Sequence, residues 1–509
     1  MSAIAERLVR NTLFSTAGQV VSLAVGLALV PYMLSVLGAE QFGVWIILAV
    51  ATTYFSLLDG GVSASFIKHL AEAHTLGKAQ RRNDIIATGW LFYCLFSLLI
   101  VAAGVALEKS LMGLLSITGD ITTVYWGVLA IFAVRSTFVV YRSMLYALQR
   151  LDVLNKIEIG TVLFNAAGTV ILLKAGHGLQ GVVTAALATA VLHVTAETVM
   201  AHRLCPGLAF APHRASLRTF RPLFRYGIQL QASRCAELIH LHVDKLILAH
   251  FLGLAQVTMY ELGSKIAGLT RTLPTVLLPA ILPAAATLEA ERKRVQLLHL
   301  YERGSKYLAA AALPLAGFTL LSAQAIIDLW LGPGDYGGAV LAVRVLAVAY
   351  LFHLLTGMGL AVARGIGIVQ YEMRALTVSA VLNVVLSLLL VTRYGLPGVL
   401  AATALSTIVG YSLFMGTLHA HLKLSLLSFA RTVYALPAAG MAAAAVTTAA
   451  LGYSLGLLPA QPGSRAWALL ALMMNGAVFF SVYGAILLKA RYIAVGELSL
   501  VRKALAMRS

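Results

Sequence analysis

Charged residues are scarce in this sequence, and acidic residues are the scarcest of them. Asp, Glu, Lys and Arg together make up 11% of the 509 residues, whereas a soluble globular chain carries about 25%. Hydrophobic residues reach 60%, and they occur in blocks of about twenty, the length that a helix needs to cross a bilayer. The scarcity of charge excludes an ordinary soluble domain. The blocks predict an all-α integral membrane protein with about fourteen transmembrane helices.

Motifs for catalysis and for metal binding are also lacking. The three cysteines, Cys94, Cys205 and Cys235, are isolated and form no CxxC pair, which argues against disulfides and against a zinc site. His240 and His242 are two positions apart, so they point in nearly opposite directions on a helix and cannot share a metal as an i, i+4 pair does. No P-loop, nucleophile elbow or His-Glu-x-x-His sequence is present. We therefore expect a transporter rather than an enzyme, with no metal and no cofactor.

Basic residues outnumber acidic ones by 38 to 20, which gives a formal net charge of +18. Twenty-eight of the 38 basic residues, Arg142 and Arg150 included, fall near one set of alternate ends of the apolar blocks, and six lie inside the blocks. The opposite set holds only Lys109, Lys174, Arg393 and Arg465. Because cytoplasmic loops carry the excess of Lys and Arg, this pattern predicts cytoplasmic N- and C-termini and contact with anionic membrane lipids. It also argues against nucleic-acid binding.

A short sequence pattern recurs in the two halves of the chain. Segments 37–45 and 252–260 share the pattern Leu-Gly-x-x-Gln-x-x-x-aromatic, and each joins the first two predicted spans of its half. Parallel repeats of this kind place a substrate site between two lobes. We therefore divide the chain into an N-terminal lobe of six helices (1–201), a cytoplasmic linker (202–222), a C-terminal lobe of six helices (223–422) and two extra helices with a cytoplasmic tail (423–509).

Two stretches resemble a known family of transporters. The first runs from Val30 to Glu72 and contains the sequences EQFGVW (40–45) and LDGG (58–61), and the second runs from Val243 to Tyr260. Both resemble polysaccharide biosynthesis flippases of the Wzx type, which belong to the multidrug, oligosaccharidyl-lipid and polysaccharide export superfamily. The number and spacing of the predicted spans extend this similarity over nearly the whole chain.

The resemblance implies two pseudo-symmetric six-helix lobes around a central cavity, followed by two C-terminal helices. It implies that the chain flips undecaprenyl-pyrophosphate-linked oligosaccharide repeat units from the inner to the outer leaflet of a bacterial cytoplasmic (inner) membrane, for lipopolysaccharide O-antigen or exopolysaccharide. Because no nucleotide site is visible, we expect an ion gradient to drive alternating access. A polysaccharide polymerase and a chain-length regulator are candidate partners.

Charged residues inside the predicted spans are candidates for the substrate site, because such residues are costly in a bilayer and usually face a cavity or a partner. Guanidinium and ammonium groups suit an anionic pyrophosphate. The candidate substrate-binding residues are Arg234, Lys265, Arg271, Arg135 and Lys245. Alternatively, the charges hold helices together, as Arg234 with Glu237 and Glu261 with Lys265 can at helical spacing.

Acidic and polar residues within the spans supply further candidates. Asp59, Glu237, Asp244 and Glu261 are candidates for ion coupling or gating, although Asp59 precedes Gly60 and Gly61 and can instead cap a helix end. The first span carries a polar stripe at helical spacing, in which Asn11, Ser15 and Gln19 are candidates for lining the cavity. Close helix packing explains such a stripe equally well.

Other functions are also compatible with the sequence. An ion-coupled drug exporter or a flippase for the peptidoglycan precursor lipid II would share the superfamily, although basic residues within the spans favour an anionic load over cationic drugs. A membrane-embedded glycosyltransferase or polymerase usually needs a large external loop, whereas the longest predicted outer loop here covers only about 108–120.

Overall fold

A computed structural model describes residues 3–57, 62–114, 121–275, 278, 281–454 and 464–492 of the chain. Within these ranges side chains are described from residue 18 onwards, apart from 55–57, 62, 64, 114, 226–241, 273 and 275. Among the predicted site residues, Asp59 lies outside the described residues. Only the backbone is described at Asn11, Ser15, Arg234 and Glu237.

The described residues form α-helices and short connections, which confirms the predicted all-α class. The helices are α1 (Ala3–Leu57), α2 (Val62–Thr75), α3 (Ala79–Leu114), α4 (Thr122–Thr137), α5 (Val139–Ala147), α6 (Leu151–Lys174), α7 (Gly178–Leu204), α8 (Leu217–Leu252), α9 (Leu254–Thr275), α10 (Ile281–Ala290), α11 (Arg294–Leu331), α12 (Gly337–Leu355), α13 (Gly357–Gly365), α14 (Val369–Leu422), α15 (Leu426–Val433), α16 (Ala435–Ser454) and α17 (Arg465–Lys489). A helix pairs its own backbone N–H and C=O groups, which is necessary in a bilayer because hydrocarbon offers no hydrogen-bond partners.

Ten helices in the described part of the chain are long and apolar enough to cross a membrane. Two of these, α1 and α14, each contain a glycine with non-helical backbone, Gly38 and Gly395, and so consist of two helical segments. Helices α8 and α9 are not among the ten, and they carry several ionisable residues. The chain is thus a multi-pass membrane protein, while the count of fourteen spans stays a prediction.

The recurring Leu-Gly pattern corresponds to one recurring turn. Gly38 has φ 76° and ψ 171°, and Gly253, at the equivalent place between α8 and α9, has φ 83° and ψ 173°. Residues with a side chain rarely adopt this region of backbone space, because Cβ would clash with the backbone. The glycine of the sequence repeat is therefore required by the turn, which reverses the chain between two successive helices.

The chain forms two compact units. The N-terminal unit comprises residues 1–242 and 253–257, and the C-terminal unit comprises 243–252 and 258–509. A core in the N-terminal unit contains the fully buried Phe66, Met144 and Leu145, and a core in the C-terminal unit contains Tyr301, Phe414 and Phe429. The predicted boundaries of the two lobes, the linker and the two-helix extension stay predictions.

Large apolar side chains project from the outer faces of the helices. Leu98 is 66% exposed, Leu389 is 65% exposed and Val446 is 69% exposed. Extended apolar surface of this kind is unfavourable in water, whereas hydrocarbon solvates it as well as a protein core does. The exposure pattern therefore agrees with helices that face lipid.

We predict that Gly253→Ala destabilises the fold by about 1–3 kcal/mol, because alanine must adopt the strained backbone of the turn. A Cβ at this position would meet no atom within 4 Å, so the cost is conformational rather than steric. The melting temperature of the purified protein measures the effect. Gly416→Ala is the matched control, since Gly416 lies in α14 and a Cβ there also meets nothing; equal melting temperatures for the two variants would contradict the prediction.

Candidate functional site

The N-terminal unit contains two adjacent cavities of about 330 and 420 Å³. Both are lined by residues of α1, α4 and α7, and they share Thr52, Ile131, Arg135 and His193. The first is also lined by Trp45, Glu158, Thr161 and Asn165, and the second by Arg142 and Glu197. Their volumes lie within the range of about 300–1,000 Å³ that small-molecule sites occupy.

A network of charged side chains lies along these cavities. The Nε atom of Arg142 lies 3.6 Å from Oε1 of Glu197, and its Nη2 atom lies 3.9 Å from Oε2 of Glu158. His193 Nε2 lies 3.0 Å from the same Oε1 atom of Glu197. Arg135 lines both cavities and is exposed, and it has no ion pair within 4.0 Å among the described residues.

The energetics of this network differ from one residue to the next. Glu197 is 3% exposed and His193 is 5% exposed, so each needs a partner inside the helix bundle. Arg142 is 38% exposed through its side chain, and its two ion pairs are longer than a charge-assisted hydrogen bond of about 2.7–2.9 Å. Arg135 and Arg142 can therefore bind an anion that enters the cavities. Glu197 and His193 are buried beside Arg142, and Glu197 contacts it.

The C-terminal unit contains a second polar cluster, built around Asp244 of α8. Asp244 is completely buried. Its Oδ2 atom accepts hydrogen bonds from the hydroxyls of Thr403 at 2.7 Å and Tyr260 at 2.9 Å, and its Oδ1 atom accepts one from Ser387 at 3.2 Å. Asn383 donates to Thr403 through its amide nitrogen, but its buried Oδ1 atom has no hydrogen-bond partner. Three hydroxyl groups thus surround one buried carboxylate.

Two candidate cations, Lys245 of α8 and Lys265 of α9, meet at one glutamate. Lys245 lies 2.6 Å from Glu261, and Lys265 lies 3.2 Å from the other oxygen of the same carboxylate. The ion pair between Glu261 and Lys265, weighed above as an alternative, is therefore present. Since two ammonium groups share one carboxylate, the group retains one excess positive charge. Arg271 lies 5.1 Å above the ring of Tyr350, where it makes a cation–π contact.

The predicted cavity-lining residue Gln19 is separate from these clusters. It is exposed and does not line either cavity, although Ser22 and Gly26, one and two helical turns further along α1, line the first. The roles predicted for Arg234, Glu237, Asp59, Asn11 and Ser15 fall on side chains outside those described. In the part of the chain that the structure describes, no three His, Cys, Asp or Glu side chains converge as metal ligands.

Several residues of both clusters were not predicted from the sequence. In the N-terminal unit these are Arg142, Glu158, His193 and Glu197, and in the C-terminal unit Tyr260, Asn383, Ser387 and Thr403. Glu158 and Glu197 are acidic residues inside predicted spans, a signal that would have found them. His193 precedes Glu197 by four residues on α7, so the two belong to one helix face. The hydroxyl and amide partners of Asp244 give no such signal, because polar residues of this size are common in spans.

Comparison with known proteins identifies the family. The model of the family described as polysaccharide biosynthesis protein matches residues 33–334, more than half of the chain. The chain is also 24% identical over 205 residues to an uncharacterized membrane protein of Methanocaldococcus jannaschii. This second match spans 38% of the length of that relative.

Solved structures show the same fold at low sequence identity. An inward-facing MATE-family multidrug resistance transporter of the MOP superfamily has a TM-score of 0.62 at 16% identity, with 81% of this chain and 94% of that chain covered. The lipid II flippase MurJ, in an inward closed conformation, has a TM-score of 0.63 at 12% identity, with 95% and 99% covered. A MOP superfamily transporter from Pyrococcus furiosus has a TM-score of 0.57 at 15% identity, with 82% and 95% covered.

The chain is therefore a multi-pass membrane protein that belongs to the polysaccharide biosynthesis protein family and has the fold of the MOP superfamily.

Proposed function

We propose that this chain is a flippase that carries undecaprenyl-pyrophosphate-linked oligosaccharide repeat units from the inner to the outer leaflet of a bacterial cytoplasmic membrane. Its termini lie in the cytoplasm, and the cargo supplies the assembly of a surface polysaccharide or exopolysaccharide by a polymerase and a chain-length regulator. The observation that carries the proposal is the pair Arg135 and Arg142, which line polar cavities inside a helix bundle of this family.

The chemistry of such a cargo matches the cavities of the N-terminal unit. Its pyrophosphate is anionic, and the guanidinium groups of Arg135 and Arg142 suit phosphate oxygens. Its sugars are rich in hydroxyls, and the first cavity offers the polar groups of Thr161, Asn165 and Thr189. The lipid tail needs no protein site, because hydrocarbon solvates it. Lys245, Lys265 and Arg271 of the C-terminal unit are further cations of the kind that suits an anion. Arg234 also remains a candidate.

An ion gradient is the proposed energy source, and Asp244 is its proposed binding point. A buried carboxylate that is surrounded by three hydroxyl groups suits either a proton or a small hard cation such as sodium. Occupancy by either neutralises a charge that is costly inside a membrane. Glu261 is bound to two lysines, so we assign it the lesser part of this role.

A flippase for a peptidoglycan precursor is the second candidate function. The observation that favours it is the match to the lipid II flippase MurJ, which covers 95% of this chain and 99% of that one. The match to a polysaccharide biosynthesis family favours the first candidate. Complementation separates the two: the first predicts rescue of a strain that lacks its polysaccharide flippase, and the second predicts rescue of a strain depleted of its lipid II flippase.

We predict that Arg135→Gln and Arg142→Gln each lower polysaccharide export by about 10- to 100-fold, since a hydrogen bond to a charged group contributes about 1.5–3 kcal/mol. Surface polysaccharide is measured in cells that lack the chromosomal copy, at matched amounts of membrane-inserted protein.

Arg344→Gln serves as the control for these variants. Arg344 is an exposed arginine of α12 that lines neither cavity, and its replacement should leave export unchanged. Normal export by both cavity variants would contradict the proposal, as would arrival of repeat units at the outer face in cells without the protein.

We predict that Asp244→Asn abolishes the response of transport to an imposed ion gradient, because the amide keeps much of the hydrogen bonding but cannot bind a proton or balance a cation. Uptake driven by a sodium or proton gradient in proteoliposomes measures this. Asp328→Asn is the matched control, since Asp328 is also buried in the C-terminal unit and interacts with Gln324. Retention of gradient-driven transport by Asp244→Asn would remove Asp244 from the coupling mechanism.

A further inference from the structure

The pair His193 and Glu197 lies buried beside Arg142 in the N-terminal unit, and the proposed function gives neither residue a step of its own. Both side chains are more than nine-tenths buried, and both line the second cavity beside Arg142. Glu197 Oε1 has two nitrogen partners at once, His193 Nε2 at 3.0 Å and Arg142 Nε at 3.6 Å. When Arg142 turns toward an anion in the cavity, Glu197 loses one of these partners.

The hydrogen bonds around His193 accommodate an additional proton without movement of heavy atoms. Thr161 Oγ1 lies 3.2 Å from His193 Nδ1 and 2.8 Å from the carbonyl oxygen of Ile157. With a neutral ring, the Thr161 hydroxyl donates to Nδ1 and Nε2–H donates to Glu197. With a protonated ring, Nδ1–H donates to Thr161, and the hydroxyl turns to the carbonyl of Ile157. The site therefore serves both protonation states of the ring.

The charged and titratable groups that face this pair come from four helices. Arg135 of α4, Arg142 of α5 and Glu158 of α6 surround it, and Tyr93 of α3 and Tyr146 of α5 are the nearby titratable phenols. With His193 neutral, the two arginines and the two glutamates, Glu158 and Glu197, sum to zero. A pyrophosphate diester then adds two negative charges to a buried site, which is unfavourable unless positive charge enters with it. Histidine changes its charge near neutral pH and is the group suited to supply it.

We propose that Arg135 and Arg142 bind the anionic pyrophosphate of the cargo together with one proton, which water delivers to the pair His193 and Glu197. Glu197 exchanges Arg142 for the imidazolium as its counter-ion, and Arg142 is released to the phosphate. The inference rests on the proposed function, because the anion is the pyrophosphate of the lipid-linked saccharide. It adds that binding of this anion and uptake of the proton are thermodynamically linked.

Calorimetry on the full-length protein in nanodiscs tests the linkage. The probe is farnesyl-pyrophosphoryl-N-acetylglucosamine, because both phosphates are diesters and keep a fixed charge near neutral pH. Titration in two buffers with different enthalpies of ionisation gives the number of protons taken up for each ligand bound. At about pH 7.5 we expect about 0.5–1 proton in the natural protein, and a Kd that rises by up to about tenfold from pH 7 to pH 8.

Three variants assign the proton to the pair. His193→Gln and Glu197→Gln keep hydrogen-bonding groups but remove the titrating pair, so proton uptake should fall below about 0.2 in each. His177→Gln removes an exposed histidine at the turn before α7 and should retain the natural value. The number of protons that the natural protein takes up tests the linkage by itself, so the test does not depend on whether a variant folds.

The outcomes separate this inference from the proposed function. Binding of the probe by the natural protein without proton uptake, or unchanged uptake in both pair variants, would overturn the inference alone. Failure to bind the probe would overturn both. Proton-linked binding in a protein that does not support export would uphold the linkage and reject the flippase.

Discussion

A charged side chain inside a bilayer needs a partner, and this constraint organises the polar interior of both units. Carboxylates among the described residues illustrate it: Glu197 lies beside His193 and Arg142, Glu261 lies between two lysines, and Asp244 accepts three hydrogen bonds. Arg135, in contrast, lines both cavities and has no ion pair within 4.0 Å among the described residues. This cation is the physical basis of the proposed function, because unmatched positive charge in an apolar bundle is stable only where an anion or water reaches it.

The two units place their charges in different chemical settings. The N-terminal unit surrounds cavities with arginine, histidine and glutamate side chains, and Arg142 exchanges partners easily because its ion pairs are long and partly exposed. The C-terminal unit surrounds Asp244 with hydrogen bonds from hydroxyl groups and excludes solvent from it. The first arrangement suits a bulky anion that enters and leaves together with a proton. The second suits a small cation or a proton, so we assign cargo binding, with its linked proton, to the N-terminal unit and coupling to the ion gradient to the C-terminal unit.

The sequence predicted the features that depend on local spacing. The scarcity of charge and the length of the apolar blocks predicted the helical membrane fold, and the Leu-Gly repeat predicted two equivalent positions, whose turns have nearly equal backbone angles at Gly38 and Gly253. The pairing of Glu261 with Lys265 was foreseen as an alternative, because the two residues are one helical turn apart. Its ion pair with Glu261 does not exclude a role for Lys265 in substrate binding, because an anion that reaches the pair can also bind the ammonium group.

Contacts between segments that are distant in the sequence could not be predicted from residue spacing. Asp244 bonds to Ser387 and Thr403, which lie on α14, and no spacing rule connects those positions to α8. Arg142 was counted with the loop residues because it lies near the end of its apolar block, whereas α5 continues to Ala147 and directs Arg142 to the cavity. Its partners Glu158 and Glu197 come from α6 and α7, so only the folded bundle brings them together.

The proposed function requires that the purified chain alone moves a polyprenyl-pyrophosphate-linked saccharide across a bilayer. Transport is tested in proteoliposomes that contain the protein and a fluorescent farnesyl-pyrophosphoryl-N-acetylglucosamine. A membrane-impermeant quencher reports which leaflet holds the probe. The account predicts that the quenchable fraction changes within minutes when an ion gradient is applied and stays constant in protein-free vesicles. Equal rates with and without the protein, or equal transport of a matched farnesyl alcohol glycoside that lacks the pyrophosphate, would contradict it.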